Sequence, residues 1–429
     1  LQHPAAGHEP SRYRTLTTET VAAYLDRCEA VAGRLGGTPA QWHAHERGDG
    51  NLNLVFIVQG PHAAVVVKQA LPYVRMVGEG WPLSLARNYF EHRALREQAR
   101  WAAEFVPAIY YTDDAMSLIV MEFLAPHRVL RKGLIAAQVY PSVGRHLGSF
   151  LARTLFNTSD LVMTGAEKKA CIATFLGNTA MCEISENVIF DEPYFSAPLN
   201  RHTSPQLDPV VAALAEDTEL KVAVQAMKWR FMNQPECLIH GDLHTGSVMV
   251  TDADTRVIDS EFAFFGPMGF DLGTLLANFM MAYLAQTGHA KHRDDRDDRD
   301  DYRAYLLQQI TAIWHTFVSE FSDLWHSRAS QAGGTLCNPQ LTVDAPMFLN
   351  AALTWRLEGI WQDTLGFAGC EMIRRIVGLA HVEDFEAIAT AEIRARGERQ
   401  AISLARTLLT ERTRFLSIGD LTAALSACA

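Results

Sequence analysis

Cysteine pairing is the first thing this chain lacks. Its seven cysteines (28, 171, 182, 237, 337, 370 and 428) are odd in number, scattered, and form no CxxC. That pattern signals neither a disulfide framework nor a zinc site, and His244 has no HExxH context to suggest one. Thiols placed this way are expected to sit reduced in a cytoplasmic protein. Excess positive charge is also missing. With 38 Lys and Arg against 49 Asp and Glu, the net charge is −11. No basic field is available to attract phosphate backbones, so a nucleic-acid partner is not expected. Long apolar runs are absent as well. The longest, Thr274 to Ala285, is too short to span a bilayer and reads as a core helix, so no membrane partner is expected. The N-terminus has no charged start followed by an apolar core, and so does not read as a secretion signal. What is present, 48% hydrophobic and 20% charged over 429 residues, is an ordinary globular composition with length enough for two domains.

The chemistry concentrates in His240-Gly241-Asp242-Leu243-His244-Thr245-Gly246-Ser247, followed by Asp259-Ser260-Glu261. Residues 237–239, 248–250 and 256–258 read as short strands around the loop 240–247. Asp242 therefore belongs to a tight loop, and Asp259 and Glu261 follow a strand end. Phosphoryl transfer needs one carboxylate to orient the attacking hydroxyl and others to hold Mg²⁺. Asp242 fits the first role, Asp259 and Glu261 the second, since Mg²⁺ takes hard oxygen ligands. Two residues apart in an extended segment, the last pair would face the same way. Alone, each Asp is also a common turn former; the ordered set among strands is what points to chemistry.

Upstream, Thr17 to Leu35 predicts one helix, capped by Thr17 and ended by Gly36-Gly37. Strands are expected over 41–46, 52–58 and 64–68, with Gly48-Asp49-Gly50 a tight turn between the first two. Asn51 and Asn53 follow that turn, either as amide donors to phosphates or as a turn residue and a solvated strand face. Lys68 ends the run Val65-Val66-Val67, where it either caps an edge strand or meets phosphate. Arg87 to Phe105 predicts a helix whose Glu91 is a candidate partner for Lys68 or a surface residue. Residues 110–114 and 117–123 read as a hairpin leading into Glu122-Phe123-Leu124, where an adenine-binding hinge belongs. Helical patterns follow at 142–157, 168–178 and 208–232, with 193–209 a loop. Between Lys291 and Arg303 the triplet Arg-Asp-Asp recurs three times; such runs are usually solvated and mobile, and no chemistry is assigned to this one.

Four blocks of the chain resemble 5-methylthioribose kinases. They are Lys68-Gln69-Ala70-Leu71-Pro72-Tyr73-Val74-Arg75 continuing to Gly78-Glu79-Gly80-Trp81-Pro82, Leu238 to Ser247, Glu261 to Asp271 (EFAFFGPMGFD), and Gly366 to Arg375 (GFAGCEMIRR) with Gly378-Leu379-Ala380-His381. The resemblance implies an α+β, bilobal protein-kinase-like fold: an N-lobe over 1–124 with an antiparallel sheet, and a larger, mainly helical C-lobe over 125–429. It implies transfer of the ATP γ-phosphoryl group to the anomeric hydroxyl of methylthioribose, with Mg²⁺, in methionine salvage, and suggests a homodimer. Asp242 would be the catalytic aspartate touching the sugar. Asp259, Ser260 and Glu261 would hold Mg²⁺-ATP, Asn51 and Lys68 would approach the phosphates, and Glu122, Phe123 and Leu124 would line the adenine.

Arg374 and Arg375 would reach the sugar side, and Trp81 would mark a loop near the site. Adjacent guanidiniums suit a transferring phosphoryl group. On a helix they diverge by about 100°, so one, Arg374 by preference, is expected to face the site while the other pairs structurally. Ser247 stands where many kinases have a metal-binding asparagine, and Asp259-Ser260-Glu261 replaces Asp-Phe-Gly. Both fit this family, with Glu261 supplying what Ser247 supplies less well. A kinase for an aminoglycoside or choline, and a silent nucleotide-binding protein, are the competing readings.

Overall fold

The computed structural model describes residues 13–47, 52–75, 78–290, 295–329 and 345–428. Asn51 and the Gly48-Asp49-Gly50 turn lie outside them. The chain divides into two compact units, Leu1–Ala99 with Pro107–Ala125 and Arg100–Val106 with Pro126–Ala429.

In the first unit, α1 (Val21–Leu25) and α2 (Glu29–Leu35) precede β1 (His43–Glu46), β2 (Asn53–Gln59), β3 (Ala64–Ala70), β4 (Tyr73–Val74) and β5 (Gly78–Pro82). Then come α3 (Arg87–Ala102), which runs on into the second unit's segment, β6 (Ile109–Asp113) and β7 (Leu118–Glu122). Five strands make an antiparallel sheet in the order β1-β2-β3-β7-β6. Alternate residues Phe56 and Val58, Val65 and Val67, Leu118 and Val120 share one core with Val21, Leu25, Val31 and Leu35, the period of two that a strand imposes. The predicted single helix is broken. Cys28 is extended (φ −102°, ψ 95°), so two short helices, rather than one straight rod, bring their apolar residues to the same core. Lys68 does not end its strand; β3 continues to Ala70 and lies at the centre of the sheet. Trp81 lies not on a loop but half-buried on β5, a strand that pairs irregularly with β4.

The second unit is mainly helical. It contains β8 (Arg128–Val129), α4 (Leu130–Ile135), α5 (Val143–Asn157), α6 (Gly165–Phe175), α7 (Thr179–Phe190), α8 (Asp208–Glu216) and α9 (Thr218–Asn233). The short strands β9 (Cys237–Ile239), β10 (Val248–Val250), β11 (Thr255–Val257) and β12 (Phe264–Gly266) follow. Next are α10 (Met268–Ala285), α11 (Asp295–Ala329), α12 (Ala345–Val377), α13 (Glu383–Glu386), α14 (Ala391–Thr410) and α15 (Ile418–Ala427). The pattern over 208–232 is two helices, because Asp217 turns extended (ψ 94°) and caps the second by accepting the Leu220 N–H. Such a cap stabilises a helix start by about 1 kcal/mol.

The Arg-Asp-Asp run is not a mobile insert from Asp295 onward; it opens α11. Arg299 donates to Ile135 O (3.0 Å) and Gln286 Oε1 (2.7 Å), and Arg303 to the Tyr283 hydroxyl (2.9 Å). Spaced four apart, the two arginines share one helix face. Every residue of α10 is buried. By length and composition Met268–His289 is apolar enough to cross a membrane, yet its most apolar window is wholly covered by protein. Gly273 lets α12 approach: a Cβ there would stand 2.6 Å from Thr364 O. This division, an antiparallel sheet with a long helix ahead of a larger helical part, is the α+β kinase-like architecture expected.

Candidate active site

The loop between β9 and β10 is built by its own backbone. Gly241 has φ +84°, and a Cβ there would meet Phe262 O at 2.3 Å, so the turn admits glycine alone. Asp271, in the first turn of α10, accepts the His240 N–H (2.6 Å) and the Gly241 N–H (3.0 Å). His240 donates from Nε2 to Ile258 O (2.8 Å) and accepts the Asp242 N–H at Nδ1 (3.3 Å). The loop is thus tied to both a helix start and a strand end, which fixes the direction of Asp242.

Both members of the arginine pair reach Asp242. Arg374 Nη2 lies 3.1 Å and Arg375 Nη2 3.2 Å from the same Oδ1. Each also donates from Nε to Glu371, at 2.5 Å for Arg374 and 2.7 Å for Arg375. The expectation of one facing and one structural arginine is therefore overturned. Glu371, one turn earlier on α12 and 1% exposed, straddles the two and draws both side chains to one face. Asp242 keeps 23% of its side chain accessible, while the arginines keep 8% and 6%.

A third guanidinium, which nothing in the sequence singled out, joins them. Arg131 of α4 donates to Asn278 Oδ1 (2.8 Å) and lies 3.3 Å from Asp384 Oδ2. Asn278 in turn donates to Glu371 Oε1 (3.2 Å). Three cations and three carboxylates (Asp242, Glu371, Asp384) thus interleave, as buried charges must.

Burial pushes the Asp242 carboxyl up, but His244, Arg375 and Arg374 outweigh it and hold the group well below the usual carboxylate range. Burial also acts against charge on His244, whose pKa falls to about 4 even beside Asp242. Glu371 too is raised by burial and more than compensated by Arg374 and Arg375. Asp384 goes the other way, pushed by burial up to about 6 against the pull of Arg131.

Ser247, at the place of a kinase asparagine, is 3% exposed and turned into its own loop. Its hydroxyl donates to Asp242 O (3.2 Å) and lies 3.3 Å from His244 Nδ1. Asp259 is left-handed (φ 66°, ψ 43°), and Ser260–Phe262 forms a 3₁₀ turn rather than the extended segment expected. A non-glycine residue in this region is held against strain by its surroundings. Asn178 supplies part of that hold, donating to both Glu261 O and Ala263 O at 3.0 Å. Ser260 is fully buried and Glu261 is 7% exposed. Two carboxylates here suit Mg²⁺, which takes one or two of them plus phosphate oxygens. Among the described residues no group of three His, Cys, Asp or Glu converges as a cage of its own.

Within the first unit, Lys68 is 5% exposed and its Nζ lies 2.7 Å from Glu91, itself 1% exposed. Neither the edge-strand cap nor the surface ion pair describes them. Asn53 is 5% exposed and its Oδ1 accepts from Arg87, so it is not on a solvated face. Glu122 closes the β6–β7 hairpin, its Oε2 accepting the Ala108 N–H at 3.1 Å. Phe123 and Leu124 follow the strand without regular structure.

Fold and loop together define a phosphotransferase, and residues 43–305 match the phosphotransferase enzyme family; the protein is a small-molecule kinase. Relatives include the methylthioribose kinase of Escherichia coli, 42% identical over 95% of this chain and 96% of that protein. Methylthioribose kinase 1 of rice is 43% identical over 95% and 94%, and that of Geobacillus kaustophilus 39% over 94% and 98%. The chain belongs to the methylthioribose kinase family.

Proposed function

We propose that this chain transfers the γ-phosphoryl group of ATP to the anomeric hydroxyl of 5-methylthioribose, giving 5-methylthioribose 1-phosphate and ADP in methionine salvage. The observation that carries the mechanism is the clasp of Asp242 Oδ1 by both Arg374 and Arg375. A carboxylate held that far below its ordinary range is a weak base. It suits a loose transition state in which the hydroxyl needs orientation more than early deprotonation. Asp242 accepts the hydrogen bond of the anomeric hydroxyl and aims its oxygen in line with the γ-phosphorus. The two guanidiniums keep Asp242 ionised and meet the charge of the transferring group from the sugar side.

Asp259 and Glu261 hold Mg²⁺, with Ser260 shaping the turn between them. Mg²⁺, when bound, neutralises the phosphate oxygens. Lys68, oriented by Glu91, fixes the triphosphate together with Asn51. The segment Glu122-Phe123-Leu124 meets adenine through its backbone, and Trp81 takes part in holding the sugar. The homodimer suggested by the family is part of this reading; light scattering should give twice the 47.7 kDa of one chain.

The test is ADP release by purified protein with ATP, Mg²⁺ and a panel of methylthioribose, an aminoglycoside and choline. Turnover with methylthioribose is expected. Turnover only with one of the others overturns the substrate, and silence with all three overturns the activity.

A further inference from the structure

The hydrogen bonds around His244 fix its tautomer without any appeal to pH. The backbone N–H groups of Gly246 (2.9 Å) and Ser247 (3.1 Å) both point at Nδ1. A backbone N–H can only donate, so Nδ1 is an acceptor and carries no proton. The ring is therefore neutral with its proton on Nε2, and Nε2 lies 3.3 Å from Asp242 Oδ2.

Counting lone pairs then locates the free one. An ionised carboxylate offers about four acceptor sites, two on each oxygen. Two guanidiniums occupy Oδ1. On Oδ2 the imidazole Nε2 stands 3.3 Å away, placed to take one site and leave one for an incoming donor. A neutral donor in that place orients Oδ2 without adding a third positive charge, which would weaken the carboxylate further as an acceptor.

We propose that His244 is a positioning residue for phosphoryl transfer. Its Nε2–H holds Asp242 Oδ2 so that the remaining lone pair of that oxygen receives the hydroxyl to be phosphorylated. The inference rests on the reading of Asp242 as the carboxylate that meets the acceptor hydroxyl. The competing account is purely structural: His244 also caps the 3₁₀ turn Thr245–Ser247, and a cap alone would explain its contacts to the backbone.

Two substitutions separate these roles. His244→Asn keeps a short side-chain acceptor for the turn but cannot reach Asp242 with a donor. His244→Gln reaches Asp242 with an amide N–H but sacrifices the cap. Wild-type turnover with methylthioribose is read first, so failure of the substrate assignment is seen on its own; the variants are then compared on whichever acceptor the wild type uses. Circular dichroism gives the folded fraction, and kcat is expressed per folded molecule. His244→Asn is expected to lose about 10- to 100-fold in kcat, the usual effect of removing a group that orients another, with KM for ATP unchanged. His244→Gln is expected to retain more kcat than His244→Asn despite lower thermal stability. Wild-type kcat in His244→Asn, or a kcat in His244→Gln no higher than in His244→Asn, overturns the proposal. So does failure of both variants to fold, which would make the residue a structural cap.

Discussion

Asp242 is the residue on which most of the proposed chemistry converges, and its protonation is set by nearby His244 and by two arginines far from it in sequence. Arg374, Arg375 and His244 keep it ionised against burial, so Asp242→Asn should leave ATP affinity intact while reducing kcat by at least about 10²-fold. Isothermal titration with nucleotide beside a turnover assay measures both; near-normal turnover would refute the role. Asp384 predicts a pH effect of opposite sign. Burial raises its carboxyl from a free aspartate's 3.8 to about 6, so the folded state holds this proton more tightly than the unfolded chain. The resulting stability is fully present below pH 4 and is lost as pH rises through 6. Asp384→Asn cannot titrate. Its stability relative to wild type should therefore rise between pH 4 and 7, by an amount on the order of 1–3 kcal/mol. Denaturant titrations at pH 4, 5, 6 and 7 test the sign; a constant difference would discard it. Sequence reasoning expected one arginine of the pair to turn toward the site and the other to pair structurally, whereas both reach Asp242 Oδ1. It assumed that a 100° divergence separates adjacent side chains. Long, flexible arginines sharing Glu371 bend back to one point instead. Arg131 and Asp384 carried no signal, since a charged residue at a helix start looks the same whether it faces solvent or a buried carboxylate.

At the scale of elements, the turn Ser260–Phe262 depends on a residue far from it in the chain. Asn178 bonds the Glu261 carbonyl within the turn and the Ala263 carbonyl just after it. Asn178→Ala should destabilise the protein by about 1–3 kcal/mol, as unsatisfied buried carbonyls do. It should also weaken Mg²⁺-dependent nucleotide binding more than binding of nucleotide without metal. Thermal denaturation and titration with and without Mg²⁺ measure the two effects; equal weakening in both conditions would separate the turn from metal binding. The strands flanking the 240–247 loop were legible because short apolar runs on either side of a glycine-containing loop leave few other readings. The left-handed backbone at Asp259 was not. Propensity favours an extended exit from a strand, and here tertiary hydrogen bonds outweigh it. Helix breaks at Cys28 and Asp217 were missed for a related reason, since apolar spacing alone continues across a residue whose backbone turns.

On the scale of the whole molecule, α10 and α12 act together. The start of α10 carries Asp271, which holds the 240–247 loop, and the end of α12 carries Arg374 and Arg375. Gly273 permits their close approach. Gly273→Val should cost about 1–3 kcal/mol through overpacking and lower kcat, because both ends of the site shift together. Reduced thermal stability with unchanged kcat would show that the helices position the site independently. The short strands around residues 240–247, and the carboxylates and arginine pair proposed for the site, were readable from the sequence, because hydrophobic period, glycine turns and family motifs are local properties of the chain. Which charges neutralise one another was decided only by tertiary structure. A guanidinium at 131, an amide at 278 and carboxylates at 371 and 384 are separated by long stretches of chain. Burial brings them within hydrogen-bond reach, and only there does pairing become obligatory.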